Sequence, residues 1–139
     1  MPDRRTRPTP IRLDEVQAWA RIAAAAADDK KAADTVLLEV GQVLSIADVF
    51  VVTSGANGRQ VRTIADEIEK RLREDAGLAP PRMEGRRDLT WVLLDYGALV
   101  VHVFSDEMRR FYDIERLYRD VPIVRWPSSA PATPADRAG

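Results

Sequence analysis

The stretch DVFVVTSGANGRQVRTIADEIEKRLREDAG, from Asp48 to Gly77, identifies the fold class better than any other part of the chain. Its first part, Asp48 to Thr53, is rich in β-branched residues and ends at a Ser-Gly pair, which is typical of a buried strand. From Asn57 to Ala76 the apolar residues recur at the i, i+3, i+4 spacing of an amphipathic helix, and Gly77 marks its end. The stretch therefore predicts a strand, a short turn and a long helix.

Helical and strand patterns continue on both sides of this unit. The other predicted elements are a helix that starts at Thr9-Pro10 and runs to Ala27, strands at Thr35–Val40, Trp91–Tyr96 and Leu99–Phe104, a helix at Asp106–Asp120 and a short edge strand at Ile123–Trp126. Gly97-Ala98 joins two of these strands at hairpin spacing. The segment from Gly77 to Thr90 is predicted to be a loop, long enough to be mobile or functional.

The predicted order αββαββα(β) indicates an α/β fold with a mixed β-sheet flanked by helices. Two strand pairs separated by a helix need one long crossover connection, so we expect at least one parallel pair among antiparallel ones. The helices are expected to cover mainly one face of the sheet.

Composition excludes several classes of protein. The chain has 139 residues and no cysteine, which rules out a disulfide scaffold, thiol catalysis and cysteine-based metal sites. Its 21 Lys and Arg nearly balance 22 Asp and Glu, so it lacks the positive field that steers a whole domain onto nucleic acid. No apolar run approaches the roughly 20 residues that a bilayer requires, and we expect a cytoplasmic protein with no membrane contact.

Both ends of the chain differ in composition from the middle. Residues 1–9 form an Arg- and Pro-rich arm, and residues 127–139 form a Pro-, Ala- and Ser-rich tail. Neither segment has enough apolar residues to offset the entropy of ordering, so both are predicted to be disordered around a single domain at residues 10–126. The arm could contact phosphate groups of RNA, although a solvated tail is the simpler interpretation.

Few residues could carry catalysis. His102 is the only histidine, and without a second histidine or a cysteine a zinc site would need three carboxylates around it. We interpret it as a partly buried residue hydrogen-bonded to a neighbour, with a partner contact as the alternative. A triad of Ser54, His102 and Asp95 lacks the G-x-S-x-G surroundings of a nucleophile. Asp113 and Glu115 lie on a predicted helix, where side chains two apart point away from each other.

The turn from Ser54 to Arg59 is a second candidate site. It lies between a strand and the start of a helix, where free backbone amides and the helix dipole favour an anion such as a nucleotide phosphate. It lacks the glycine patterns of the known phosphate-binding loops, and Ser, Gly and Asn are also common helix-capping residues. Nucleotide binding or nucleotidyl transfer at this turn is therefore the alternative function.

The strand WVLLDY, from Trp91 to Tyr96, combines aromatic, apolar and acidic residues. Alternation places Trp91, Leu93 and Asp95 on one side of the sheet, and Tyr96 on the other side with Val92 and Leu94. Two interpretations remain open. Either one side exposes an apolar patch that contains a charge, as the centre of a binding site does, or both sides are buried within the monomer.

At these residues the chain resembles the ribosomal silencing factor family, also called Iojap-like proteins. The resemblance extends from about Val16 to Asp120, and the order and spacing of its segments make it specific. The segments are ADTVLLEV (33–40), SIADVFVVTSGANGRQVRTIADEIE (45–69), MEG (83–85), WVLLDYG (91–97), VVHVF (100–104) and FYDIERLYRD (111–120).

The resemblance implies a fold similar to nucleotidyltransferases without their catalytic acids, and therefore a protein that is not an enzyme and uses no cofactor. It implies binding to the large ribosomal subunit through its protein numbered fourteen, which lies on the intersubunit face. That binding would block joining of the small subunit and repress translation when nutrients are short. Trp91, Asp95 and Tyr96 match the family pattern and are expected to contact the partner, together with Leu99, which follows directly after the turn.

Two positions depart from the family pattern. Ala98 stands where the family usually has an acidic residue, and Tyr118 stands where it usually has tryptophan. Both lie near the expected contact surface. A homodimer that uses the open sheet face or an edge strand is a further hypothesis.

Overall fold

The computed structural model describes residues 11–126, in which helices and strands alternate with short loops. The elements are α1 (Leu13–Asp29), β1 (Ala33–Glu39), β2 (Val49–Gly55), α2 (Gly58–Ala76), β3 (Arg82–Glu84), β4 (Trp91–Asp95), β5 (Leu99–Ser105), α3 (Asp106–Tyr112), α4 (Ile114–Leu117) and β6 (Ile123–Arg125). The predicted arm at 1–9, the start of the first helix at Thr9-Pro10 and the predicted tail at 127–139 lie outside the described residues.

The strands form one mixed sheet in the order β3-β4-β5-β2-β1-β6. Among the strands of residues 11–126, only β2 and β5 pair in parallel, over seven residues from Val49 opposite Leu99 to Gly55 opposite Ser105. Every other neighbouring pair is antiparallel. The predicted mixed α/β fold is confirmed, including the parallel pair and the long crossover, which carries α2 on its way from β2 to β5.

The two long helices pack side by side on one face of the sheet. α1 contributes mostly alanines, including Ala20, Ala23 and Ala27, all fully buried, so that its backbone lies close to the strands. α2 contributes larger side chains such as Ile64 and Ile68. These helices and the inward side chains of the four central strands form the main core.

The ends of α2 follow the sequence signals. The Asn57 side chain accepts a hydrogen bond from the Gln60 backbone N–H at 2.9 Å, which caps the first turn. Gly77 follows the last turn in the left-handed conformation, at φ +68°, as the sequence predicts.

Two predicted elements are wrong. The segment predicted to be a loop contains β3, which pairs antiparallel with β4 and extends the sheet. Its sequence, Arg-Met-Glu, is too short to show alternation. The predicted helix at Asp106–Asp120 ends at Tyr112, because Asp113 adopts the left-handed conformation at φ 47° and separates α3 from α4. Aspartate is one of the few residues that adopt this conformation at low cost.

Arg109 holds this break in place by using all five of its N–H donors. Its Nε and Nη2 donate to the two carboxylate oxygens of Glu115, at 3.0 and 2.9 Å. Nη1 donates to the Ala33 carbonyl and the Ser54 hydroxyl, and Nη2 donates also to the Asp34 carbonyl. A nearly buried guanidinium therefore ties α3 and α4 to the ends of β1 and β2.

Gly85 has a position that only glycine fits. Its φ is +85°, and a Cβ built on it would lie 1.9 Å from the carbonyl oxygen of Trp91. We expect Gly85→Ala to lower the free energy of unfolding by about 3 kcal/mol or more, because the backbone of β4 must move to make room. Urea denaturation of both proteins measures this loss.

Gly77→Ala is the matched control. Gly77 also has a positive φ, but no heavy atom of the described residues lies within 4 Å of its added Cβ. Gly77→Ala should therefore lower the free energy of unfolding only by the cost of holding alanine in the left-handed conformation, about 1 kcal/mol. Equal losses for the two variants would contradict the steric argument for Gly85.

Candidate functional site

Strand β4 has one buried face and one accessible face. Val92 and Leu94 are fully buried in the core beneath α1 and α2, whereas Trp91, Leu93 and Asp95 point to the opposite side and are half-buried. This is the alternation that the sequence predicts. Among the described residues, the opposite side is covered by α3, α4, the segment that follows α4 and the loop between β1 and β2, and these pieces leave β4 partly uncovered.

Trp91 and Leu93 of β4 lie beside exposed aromatic residues on α3. The Trp91 ring lies 4.7 Å from Tyr112, and the Tyr112 ring lies 5.0 Å from Phe111, centroid to centroid. Phe111 is 73% exposed and Tyr112 is 47% exposed. We call these four residues, Trp91, Leu93, Phe111 and Tyr112, the aromatic patch.

Phe111 and Tyr112 were not predicted to belong to this surface. Within a helix running to Asp120, Phe111 would share an apolar stripe with Ile114, and the stripe predicts burial. The break at Asp113 changes this, since Ile114 is buried and Phe111 is exposed. The adjacent Phe-Tyr pair carries no signal that would have predicted its place beside β4.

Two buried residues of β5 lie beneath the aromatic patch. The Phe104 ring stacks on Trp91 with centroids 4.8 Å apart. The indole N–H of Trp91 donates to Nδ1 of His102 at 3.2 Å. The predicted hydrogen bond of His102 to a neighbour is confirmed, and the residue is more deeply buried than predicted, at 5% exposed.

The protonation state of His102 follows from this hydrogen bond. Because Nδ1 accepts, the neutral ring carries its proton on Nε2, which is buried and has no hydrogen-bond partner among the described residues. Burial lowers the pKa of His102 from 6.5 to about 4, and the negative charge of Asp95 opposes this shift. The ring is therefore neutral at physiological pH.

The remaining residues predicted to contact a partner occupy different places. Asp95 is half-buried on the same side as Trp91, and its Oδ1 accepts a hydrogen bond from the Gly97 backbone N–H at 2.8 Å. Tyr96 lies on the helix-covered side, where burial and the charge of Glu69 raise its pKa and Arg73 opposes them. Its hydroxyl is buried without a partner among the described residues.

Leu99 was expected to contact the partner, but the structure buries it. Its side chain is fully buried in the core beneath α1 and α2, because position 99 alternates with Val100 and faces the helices. No partner can touch it without opening the core. Leu99 therefore contributes packing beneath the hairpin and not a contact surface.

The turn from Ser54 to Arg59 is occupied by its own hydrogen bonds. Ser54 is almost fully buried and accepts from Arg109. The Ala56 N–H donates to the Gln60 side chain at 2.7 Å, and the Gln60 N–H donates to Asn57. Two of the amides at this turn, those of Ala56 and Gln60, are thus already satisfied, which favours the structural interpretation of the turn.

Two further findings concern the described residues. Between residues 11 and 126, no three His, Asp or Glu side chains come together as metal ligands would. No helix in this range is long and apolar enough to cross a membrane.

Comparisons with known proteins give consistent results. A family model described as "Ribosomal silencing factor during starvation" matches residues 13–138. A ribosomal silencing factor of Bacillus subtilis is 41% identical over 104 residues, which are 75% of this chain and 87% of that protein. The chloroplastic protein Iojap of Zea mays is 26% identical over 106 residues, 75% of this chain and 45% of that protein. A crystal structure of a Chromobacterium violaceum protein matches with a TM-score of 0.71 at 33% identity, covering 75% of this chain and 86% of that one.

The lowered pKa of His102 makes stability depend on pH. As the pH falls from 6.5 to about 4, the unfolded chain takes up a proton on this residue and the folded chain does not. The free energy of unfolding should therefore be highest above pH 6.5 and fall by about 3 kcal/mol across this window. Because the chain has one histidine, an NMR titration reads its pKa without assignment.

His102→Phe serves as the control for the pH dependence. Carboxylates titrate in both proteins, so the difference between their stability curves between pH 6.5 and 4 isolates the histidine. A pKa near 6.5 in the NMR titration, or two parallel curves, would show that His102 is not buried as described.

Proposed function

The chain belongs to the ribosomal silencing factor family, and on that premise we propose that it binds the large ribosomal subunit and prevents the small subunit from joining. The partner on the large subunit is its protein numbered fourteen, on the intersubunit face. The complex represses translation in the cytoplasm when nutrients are limiting. The proposal requires no catalysis and no cofactor.

The aromatic patch is the observation that carries this proposal. Interfaces are enriched in aromatic residues at their centres, and tryptophan and tyrosine dominate the residues whose truncation weakens binding most. Here Trp91 and Tyr112 lie side by side, and Phe111 extends them outward. An apolar surface of this kind in a soluble protein is typical of a site that a partner covers.

The surroundings of Trp91 offer a place for a partner side chain. A surface pocket lined by Glu84, Gly85, Trp91 and Leu93 opens beside the aromatic patch. We propose that a side chain of the ribosomal protein enters this pocket and that Asp95 lies at the polar rim. One Asp95 oxygen holds the turn, so its other oxygen is the one available to a partner.

Steric exclusion accounts for the effect on subunit joining. A chain of this length has a radius of gyration of ~14 Å, so the folded body is ~37 Å across. Bridges between ribosomal subunits are contacts at hydrogen-bond range, about 3 Å. A body of this size on the intersubunit face keeps the subunits apart, and an interface of ~800 Å² per partner is enough to hold it there.

Two other partners, a second copy of the chain and ribosomal RNA, remain predictions from the sequence. A homodimer through the open sheet face would cover the aromatic patch and compete with the ribosome, so binding would require the monomer. A contact of the arm at residues 1–9 with ribosomal RNA would weaken with salt, with a slope set by the number of phosphates neutralised.

Loss of Trp91 tests the surface. We expect Trp91→Ala to weaken binding to isolated large subunits by about 2 kcal/mol or more, roughly 30-fold in Kd, because a central tryptophan is a typical hot spot. Phe111→Ala should also weaken binding, and it carries little risk to folding since this side chain is mostly exposed. Co-sedimentation with large subunits measures Kd, and sucrose gradients after addition of small subunits measure joining.

Leu13→Ala is the matched control for these variants. Leu13 is 46% exposed and lies on α1, on the opposite side of the sheet. It should bind and block joining as the unmodified protein does. Unchanged binding by folded Trp91→Ala and Phe111→Ala proteins would reject the aromatic patch. Binding of the unmodified protein without any loss of joined ribosomes would reject steric exclusion.

Tyr96 gives a second test, because the sequence predicts a partner contact and its hydroxyl is buried. We expect Tyr96→Phe to bind large subunits with unchanged Kd and to be at least as stable, since it removes a buried hydroxyl that has no described partner. Urea denaturation and co-sedimentation provide the two values. Weaker binding by this variant would mean that the partner reaches the hydroxyl at the end of the hairpin.

A further inference from the structure

We infer that His102 is a positioning residue for partner binding, whose Nδ1 fixes the indole ring of Trp91 in the orientation that the partner meets. The inference rests on the proposed function, because it gives Trp91 its role at the interface. It goes beyond that function by assigning a task to a residue that no partner touches.

The sheet register brings the two rings together. Leu93 lies opposite His102 and Trp91 lies opposite Phe104, so Trp91 and His102 are diagonal neighbours on the same side of the antiparallel pair β4–β5. At such positions long side chains are within reach of each other. The 3.2 Å separation between Trp91 Nε1 and His102 Nδ1 is a hydrogen bond between these diagonal neighbours.

This hydrogen bond is the directional contact that orients the indole. The neighbouring rings of Phe104 and Tyr112 contact Trp91 at centroid distances of 4.8 and 4.7 Å, with interplanar angles of 29° and 49°. Aromatic ring pairs allow several arrangements over a range of centroid distances of about 4.5–7 Å, so these contacts fix the indole less narrowly. A hydrogen bond weakens steeply when its angle departs from linearity. The acceptor on His102 therefore selects one indole orientation.

His102 is itself held firmly. Its side chain is 5% exposed, and the Phe50 ring packs edge-on against it with centroids 4.6 Å apart. Its strand is paired on both sides, with β4 and with β2. The acceptor is thus fixed to the centre of the sheet, and Trp91 is fixed to the acceptor.

The cost of burying this histidine supports the assignment. Nε2–H is buried with no acceptor among the described residues, and an unmade hydrogen bond of a buried donor destabilises the fold. A leucine or phenylalanine at position 102 would fill the space without that loss. The acceptor role of Nδ1 explains why a histidine stands here.

The hydrogen bond to His102 limits which part of the Trp91 indole a partner can contact. Because its N–H is directed to His102, the partner contacts the face and the outer edge of the indole ring and makes no hydrogen bond to the N–H. An ordered tryptophan also loses less side-chain entropy on binding, which strengthens the complex without adding a contact.

The first experiment uses the unmodified protein in solution. In a ¹⁵N-labelled sample, the ¹⁵N shifts of the single histidine report its tautomer, and a through-hydrogen-bond nitrogen–nitrogen coupling reports the bond to Trp91. We expect a ring protonated on Nε2 that is coupled to the Trp91 indole. A ring protonated on Nδ1 would overturn the inference, because Nδ1 could not accept.

The second experiment compares His102→Leu with His102→Asn. Leucine removes the acceptor and keeps apolar bulk, whereas the Oδ1 of asparagine occupies the place of Nδ1 and can accept. We expect the Trp91 indole N–H to exchange with solvent at least 10-fold faster in His102→Leu and to stay protected in His102→Asn, with the indoles of Trp19 and Trp126 as internal references. Binding to large subunits should weaken at least 5-fold in His102→Leu and be restored at least in part in His102→Asn.

The outcomes separate this inference from the proposed function. If His102→Leu keeps both indole protection and affinity, His102 only fills space and the inference is wrong. If the unmodified protein does not bind large subunits, the proposed function fails, and the coupling and exchange data still decide whether His102 orients Trp91. If neither variant folds, the coupling measured in the unmodified protein decides.

Discussion

The parallel pairing of β2 with β5 is the constraint on which the rest of the structure depends. Seven residues of each strand are in register at the centre of the sheet, and each strand starts an antiparallel set on its outer side, β1 and β6 beside β2, β4 and β3 beside β5. A parallel pair requires a long crossover, and a helix can return to the sheet on one side only. The crossover therefore places α2 over the same face as α1 and decides which face is sealed.

Uneven coverage of the sheet explains where the aromatic patch lies. The face beneath α1 and α2 is filled with aliphatic side chains, and its residues from β4 and β5 are fully buried. The opposite face is covered by shorter pieces, with Ile114 and Met108 packing on Phe50, Val52 and Phe104. These pieces end before β4, because the chain breaks at Asp113 and Arg109 ties the two short helices to β1 and β2. Trp91 and Leu93 are left at the margin of this cover.

The fold was predictable wherever periodicity is strong. α2, β2 and the β4–β5 hairpin follow directly from spacing, capping and turn residues, and the alternation along β4 predicts which side chains share a face. β3 was not predictable, because three residues show no period and its pairing depends on Gly85 approaching the Trp91 backbone. The helix break was missed because the contacts that stabilise it, from Arg109 to Ala33, Asp34 and Ser54, are distant in sequence and leave no local signal. The burial of Leu99 was also missed, since a residue close in sequence to a contact residue can lie on the other face of the sheet.

Several polar groups that the sequence offered as candidates for chemistry are used in structural hydrogen bonds. Ser54 accepts from Arg109, Asn57 and Gln60 cap α2, Asp95 holds the turn, and Nδ1 of His102 accepts from Trp91. A group that shares or gives up such a bond when it binds a phosphate or moves a proton loses part of that stabilisation. Apolar contact carries no such cost. The aromatic patch is already partly uncovered, and its removal from water by a partner lowers the free energy of the complex. One of these bonds, from Trp91 to His102, also links the aromatic patch to the interior of the sheet.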